Sequence, residues 1–74
     1  MRYDKEKIQI LKQKYRAGTK IRINQLYDKY ESLIMERGIV RFVDDIGTIH
    51  CLLDGGKQVG VIPDVDKFEV IDED

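Results

Sequence analysis

Up to Gly18 the apolar residues recur at helical spacing, and beyond it they alternate with polar ones. In the first stretch Ile8, Leu11 and Tyr15 stand at i, i+3 and i+7, a narrow stripe along one side of a helix expected over about Asp4 to Arg16. Asp4 can accept from the free N–H groups of the first turn and places a negative charge at the positive end of the helix dipole. Gly18 follows where a left-handed residue would stop the helix. A helix this short is marginal alone in water, so its stripe must dock, contributing about 1.5–3 kcal/mol per buried side chain as an upper figure.

From Thr19 the period is two. Ile21 and Ile23 alternate with Lys20, Arg22 and Asn24 in a first strand. A polar, irregular stretch runs from Tyr27 to Arg37, and Gly38 opens a second strand, Ile39 to Val43. Asp44-Asp45-Ile46-Gly47 reads as a turn and Thr48 to Leu53 as the third strand. Asp54-Gly55, extended by Gly56, is a strong hairpin signal leading to the fourth strand, Lys57 to Ile62. Pro63 cannot donate to a ladder, so Pro63 to Asp66 is a tight turn before a fifth strand, Phe68 to Ile71. Five short strands with a long first loop, two hairpins and a tight turn before the last strand are the layout of an SH3-like small barrel. The expected class is thus mainly β with one N-terminal α-helix. A three-stranded sheet with a helix on one face fits the same pattern. By alternation Ile21, Ile23, Val40, Phe42, Ile49, Cys51, Val59, Val61, Phe68 and Val70 point inward. In the third strand Leu52 fits the inner face as well, which leaves that strand's parity open.

Length and charge refine this picture. Seventy-four residues make one domain near the lower size limit for a self-sufficient core, divided as helix 1–18, barrel 19–71 and acidic tail 72–74. One cysteine and one histidine supply neither a disulfide nor a zinc anchor, and no metal or cofactor is expected. The net charge of −1 hides a dipolar chain. Residues 1–22 carry eight basic and two acidic groups, whereas residues 23–74 carry five basic and twelve acidic ones. No apolar stretch reaches the length of a spanning helix, so no membrane partner is expected. The N-terminal Met-Arg-Tyr-Asp-Lys-Glu-Lys lacks the apolar segment of a signal peptide, and with a free thiol the expected location is the cytoplasm.

The segments Ala-Gly-Thr-Lys-Ile-Arg-Ile (17–23), Val-Asp-Asp-Ile-Gly-Thr-Ile-His (43–50) and Val-Ile-Pro-Asp-Val-Asp-Lys-Phe-Glu-Val-Ile (61–71), with Asp54-Gly55, resemble a bacterial domain-of-unknown-function family often met in mobile-element neighbourhoods. The resemblance runs from about Lys5 to Ile71. It implies a small SH3-like protein without assigned catalytic or binding residues. Members commonly carry Asp-Pro-Tyr where this chain has Asp28-Lys29-Tyr30, Pro-Gly where it has Ile34-Met35, and Trp where it has Leu53.

Four groups of residues carry candidate chemistry. His50 and Cys51 are neighbours on a strand, so their side chains face opposite ways and do not make a nucleophile–base pair. No catalytic activity is expected. Asp44, Asp45, Asp54, Asp64 and Asp66 lack the spacing of a calcium loop and are expected to hydrogen-bond their own turns. Tyr27 and Tyr30, with Asp28 and Asp45, stand where peptide-binding SH3-like barrels form a groove, which makes another protein or peptide the first candidate partner. Lys5, Lys12 and Arg16 on one helix side, with Lys20 beyond it, are the second candidate set, able to contact the phosphates of a nucleic acid. The edge strands and the Ile34-Met35 pair are candidate surfaces for a homo-oligomer. The leading expectation is an SH3-like interaction module without catalytic activity, and the alternative is a weak, non-specific nucleic-acid-binding accessory protein of a mobile element.

Overall fold

A computed structural model describes residues 3–25 and 34–71. Helix α1 (Lys5–Lys14) is followed by β1 (Lys20–Gln25), β2 (Arg37–Val43), β3 (Ile49–Leu53), β4 (Gln58–Val61) and β5 (Lys67–Val70). The strands form one antiparallel sheet in the order β4-β3-β2-β1-β5. The protein is thus mainly β with one N-terminal helix. The sheet is open: β4 and β5 are its two edges rather than a pair that closes a barrel.

Asp4 caps α1 as its position suggests, its Oδ1 accepting the Lys7 backbone N–H at 2.8 Å. The helix ends at Lys14, two residues before the expected Arg16, because Tyr15 leaves the helical region. Gly18 is therefore not the helix stop. It belongs to the next turn, where its N–H donates to the Val40 carbonyl and joins the connection to β2. Ile8 and Leu11 are buried, and Tyr15 packs half-buried against Phe68 with ring centroids 5.2 Å apart.

Both hairpin turns follow their sequence signals. Between β2 and β3 the Gly47 N–H donates to the Asp44 carbonyl, and between β3 and β4 the Gly56 N–H donates to that of Leu53. Gly47 and Gly56 take positive φ of 92° and 94°, the left-handed position that ends each of these short loops. The turn before β5 closes on Asp66, only 3% exposed, whose Oδ2 accepts the Ile62 N–H at 2.9 Å.

The core is Ile21, Ile23, Val40, Val43, Ile49, Cys51, Leu53 and Val61 from the sheet, with Tyr3, Ile8 and Leu11 laid over it. In β3 the odd positions point inward, which settles the parity that Leu52 left open. Two expected core positions are corrected. Phe42 is 52% exposed because a bulge between Val40 and Phe42 shifts the β2–β3 register, turning Phe42 outward and Val43 inward. Val70 is also 52% exposed; it ends edge strand β5, and the helix's aromatic cover reaches Phe68, two residues earlier.

Met35 holds a φ of 74°, alone among the described non-glycine residues, just before β2. Its N–H donates to the Ile23 carbonyl at 2.7 Å, which ties the strained residue to β1. Left-handed backbone costs an L-residue about 1–2 kcal/mol, and Met35 is 63% exposed, so little packing offsets that cost. Met35→Gly is expected to stabilise the fold by about 0.5–1 kcal/mol after the extra freedom of glycine in the unfolded chain is subtracted. A melting temperature raised by a few degrees checks this; an unchanged or lower one contradicts it. Among the described residues no helix is long and apolar enough to cross a membrane.

Candidate functional site

The bulge at Arg41 is where an ordinary sheet acquires a distinct surface. Opposite it Phe42 pairs with His50 of β3, and both side chains lie on the outer face of the sheet. Their rings stack nearly parallel, 12° apart in plane with centroids 4.3 Å apart. The His50 ring is held in turn by Asp44, whose Oδ2 lies 2.8 Å from Nε2. The other carboxylate oxygen of Asp44 accepts the backbone N–H groups of Ile46 and Thr48 at 3.1 and 2.9 Å. Desolvation pushes the Asp44 carboxyl upward, but the hydrogen bonds with His50, Thr48 and Ile46 outweigh it and hold it below its ordinary value. The turn, the carboxylate and the two rings form one braced unit.

Phe42 is a ridge between two hollows. On one side a groove of about 360 Å³ between α1 and β2 is lined by Lys12, Tyr15, Arg16, Ala17, Arg41, Phe42 and Val43. It holds three cationic side chains and no acid. Arg16 and Arg41 are exposed, and Lys12 reaches out to Asp45, with Nζ 2.9 Å from Oδ1. That bridge is exposed at the Asp45 end and is worth at most about 1 kcal/mol, so a stronger anion can take Lys12 from it. On the other side a smaller hollow of about 150 Å³ is lined by Arg41, Phe42, His50, Cys51, Gln58, Val59 and Gly60, again without an acid.

The residues singled out from sequence divide differently. Tyr27, Asp28 and Tyr30 lie outside the described residues. Asp45 is exposed on the β2–β3 turn and engaged by Lys12. Lys5 and Lys12 line a recess with Ile8, Gln9 and Asp45, while Lys12 and Arg16 share the groove beside Phe42. Lys20 is apart from them, lining a separate recess with Arg37, Gly38, Ile39, Asp54 and Ile71. The four cations do not form one continuous face. Arg41 and Phe42 were not candidates from sequence, and His50 was weighed only beside Cys51, because Phe42 occupies an inward position until the bulge is known.

Cys51 and His50 face opposite sides of β3. The Cys51 thiol is buried, and burial pushes it up to about 11, so it stays protonated at neutral pH. Asp44 and Asp66 bind backbone N–H groups of their own turns, as aspartates in such places do. Among the described residues no three His, Cys, Asp or Glu side chains group so as to hold a metal ion.

Neither the curated proteins nor the solved structures contain a match to this chain. A family model does match, described as a domain of unknown function (DUF4314), and it covers residues 4–71. That span includes α1, all five strands and every residue of the braced ring pair and its groove. The chain belongs to the DUF4314 family.

Proposed function

We propose that this domain is a non-catalytic binding module that holds a nucleic-acid strand in the groove between α1 and β2. The observation that carries the reading is the lining of that groove: Lys12, Arg16 and Arg41 beside the rings of Tyr15 and Phe42, with no carboxylate among them. Cations arranged along a channel with aromatic rings are what a phosphate backbone with bases requires. The absence of catalysis is part of the proposal and rests on the protonated, buried thiol and on a histidine occupied by Asp44. A peptide groove on Tyr27, Asp28, Tyr30 and Asp45 has less support, since Asp45, the one member described, lines its recess beside Lys5 and Lys12 with no aromatic ring among them. An SH3-like ancestry is proposed with it: four strands in meander order and a fifth returning beside the first agree with that layout.

The test is a titration of short labelled single strands and duplexes at two salt concentrations. Wild type is expected to bind at low salt with an affinity that falls steeply as salt rises. The Arg16→Gln, Arg41→Gln double variant is expected to bind about tenfold more weakly, with the slope of log affinity against log salt reduced by about 1.5. Failure of wild type to bind either nucleic acid at low salt sinks the proposal.

A further inference from the structure

We propose that the Phe42–His50 pair is a stacking platform for an unpaired base, which makes single strands rather than duplexes the ligand of the groove. This rests on the groove reading above and names its ligand. Phe42 is 52% exposed although it sits on the middle strand of the sheet. One side of the ring is covered by the parallel imidazole at 4.3 Å, and the ring also lines the cationic groove. A base entering the groove can extend the stack to three rings, base on Phe42 on His50. The imidazole cannot swing away freely, because Asp44 holds Nε2 and is itself held by two backbone N–H groups. The platform is therefore built before any ligand arrives.

Charge complementarity selects the same occupant. Arg41 belongs to both hollows beside Phe42, and Arg16 lies in the groove, so cations flank the ring where the phosphates of a stacked nucleotide would run. In a duplex the π-faces of the bases are taken by their neighbours, and a protruding ring gains nothing from them. In a single strand every base offers a face, whatever its identity. The platform thus favours unpaired over paired strands and shows little sequence preference.

Oligothymidylate and a duplex of matched length are the two probes. The chain has no tryptophan, so Phe42→Trp introduces one emitter at the platform. Its emission is expected to be quenched by the oligothymidylate and left nearly unchanged by the duplex. Phe42→Leu is expected to lose about tenfold in affinity for the single strand, whereas Phe42→Tyr, which keeps the ring, is expected to bind it about as wild type does. If Phe42→Leu binds oligothymidylate as wild type does while the Arg16, Arg41 variant loses binding, the stack is wrong and the groove reading stands. If wild type binds neither probe, both are wrong.

Discussion

Gly38→Ala is expected to abolish cooperative folding or to lower the melting temperature by about 15 °C or more. Gly38 pairs with Leu53 across the β2–β3 ladder, and its neighbours are backbone atoms. A Cβ there would be driven into the Leu52 carbonyl oxygen and lie 2.8 Å from the Leu53 Cα. A flexible side chain can give way to an extra methyl group; a hydrogen-bonded strand cannot, except by breaking its pairing. Ordinary overpacking costs about 1–3 kcal/mol. With backbone as the obstacle the upper end applies, against a total stability of about 5 kcal/mol for a domain this small. Each kcal/mol is worth about 4–8 °C in a chain of this length. Gly55→Ala is the control, since the nearest atom to its Cβ would be the mobile Glu36 carboxylate at 3.4 Å. Thermal melts of the two variants check the argument, and equal melting temperatures would refute it.

The strands were legible to within one or two residues, because alternation and the Asp and Gly turn signals are written locally. Asp4 as cap, the Asp44–Gly47 and Asp54–Gly56 loops, and the closing of 62–66 on Asp66 needed no knowledge of distant partners. What was not legible depended on pairing. The extra residue in β2 exists only relative to β3, so nothing near Arg41 announced that Phe42 would turn outward and Val43 inward. The helix end is a similar case: Gly18 looked like a stop, yet Gly18 bonds to Val40 of a strand more than twenty residues away. Whether the sheet closes is likewise a question about two edges distant in sequence, β4 and β5.

The candidate site follows the same division. The cationic side of α1 could be read from spacing, and Lys12 and Arg16 do line the groove. Their aromatic counterpart could not, since an alternation rule without a bulge buries Phe42. Arg41 and His50 enter the site through that one shift in register. Conversely, Lys20 belonged with the helix cations by sequence proximity but lies in another recess, because the 16–19 turn carries the chain onto the sheet before Lys20 is reached.

Gly47→Ala is expected to be at least as damaging as Gly38→Ala, for a different reason. Gly47 and Gly56 occupy equivalent places in the two hairpin loops with almost the same positive φ, so alanine at either incurs the same backbone cost of about 1 kcal/mol. Around Gly56 nothing lies within 4 Å of a new Cβ. At Gly47 the Cβ would enter the ring of Tyr3, touching Cδ2 and coming within 2.7 Å of Cε2. Tyr3 is buried against the β2–β3 turn, and its ring, a side chain rather than paired backbone, is the part that yields. Displacing a buried aromatic ring costs about 3 kcal/mol, which brings the expected loss for Gly47→Ala to about 4 kcal/mol against about 1 for Gly56→Ala. A double-mutant cycle separates the two contributions. In a Tyr3→Ala background the clash has nothing to meet, and Gly47→Ala should then cost about as little as Gly56→Ala. Denaturant titration of the four proteins measures this, and a Gly47→Ala cost that persists without the Tyr3 ring would show that the loop itself, rather than the packing of the ring beneath it, demands glycine there.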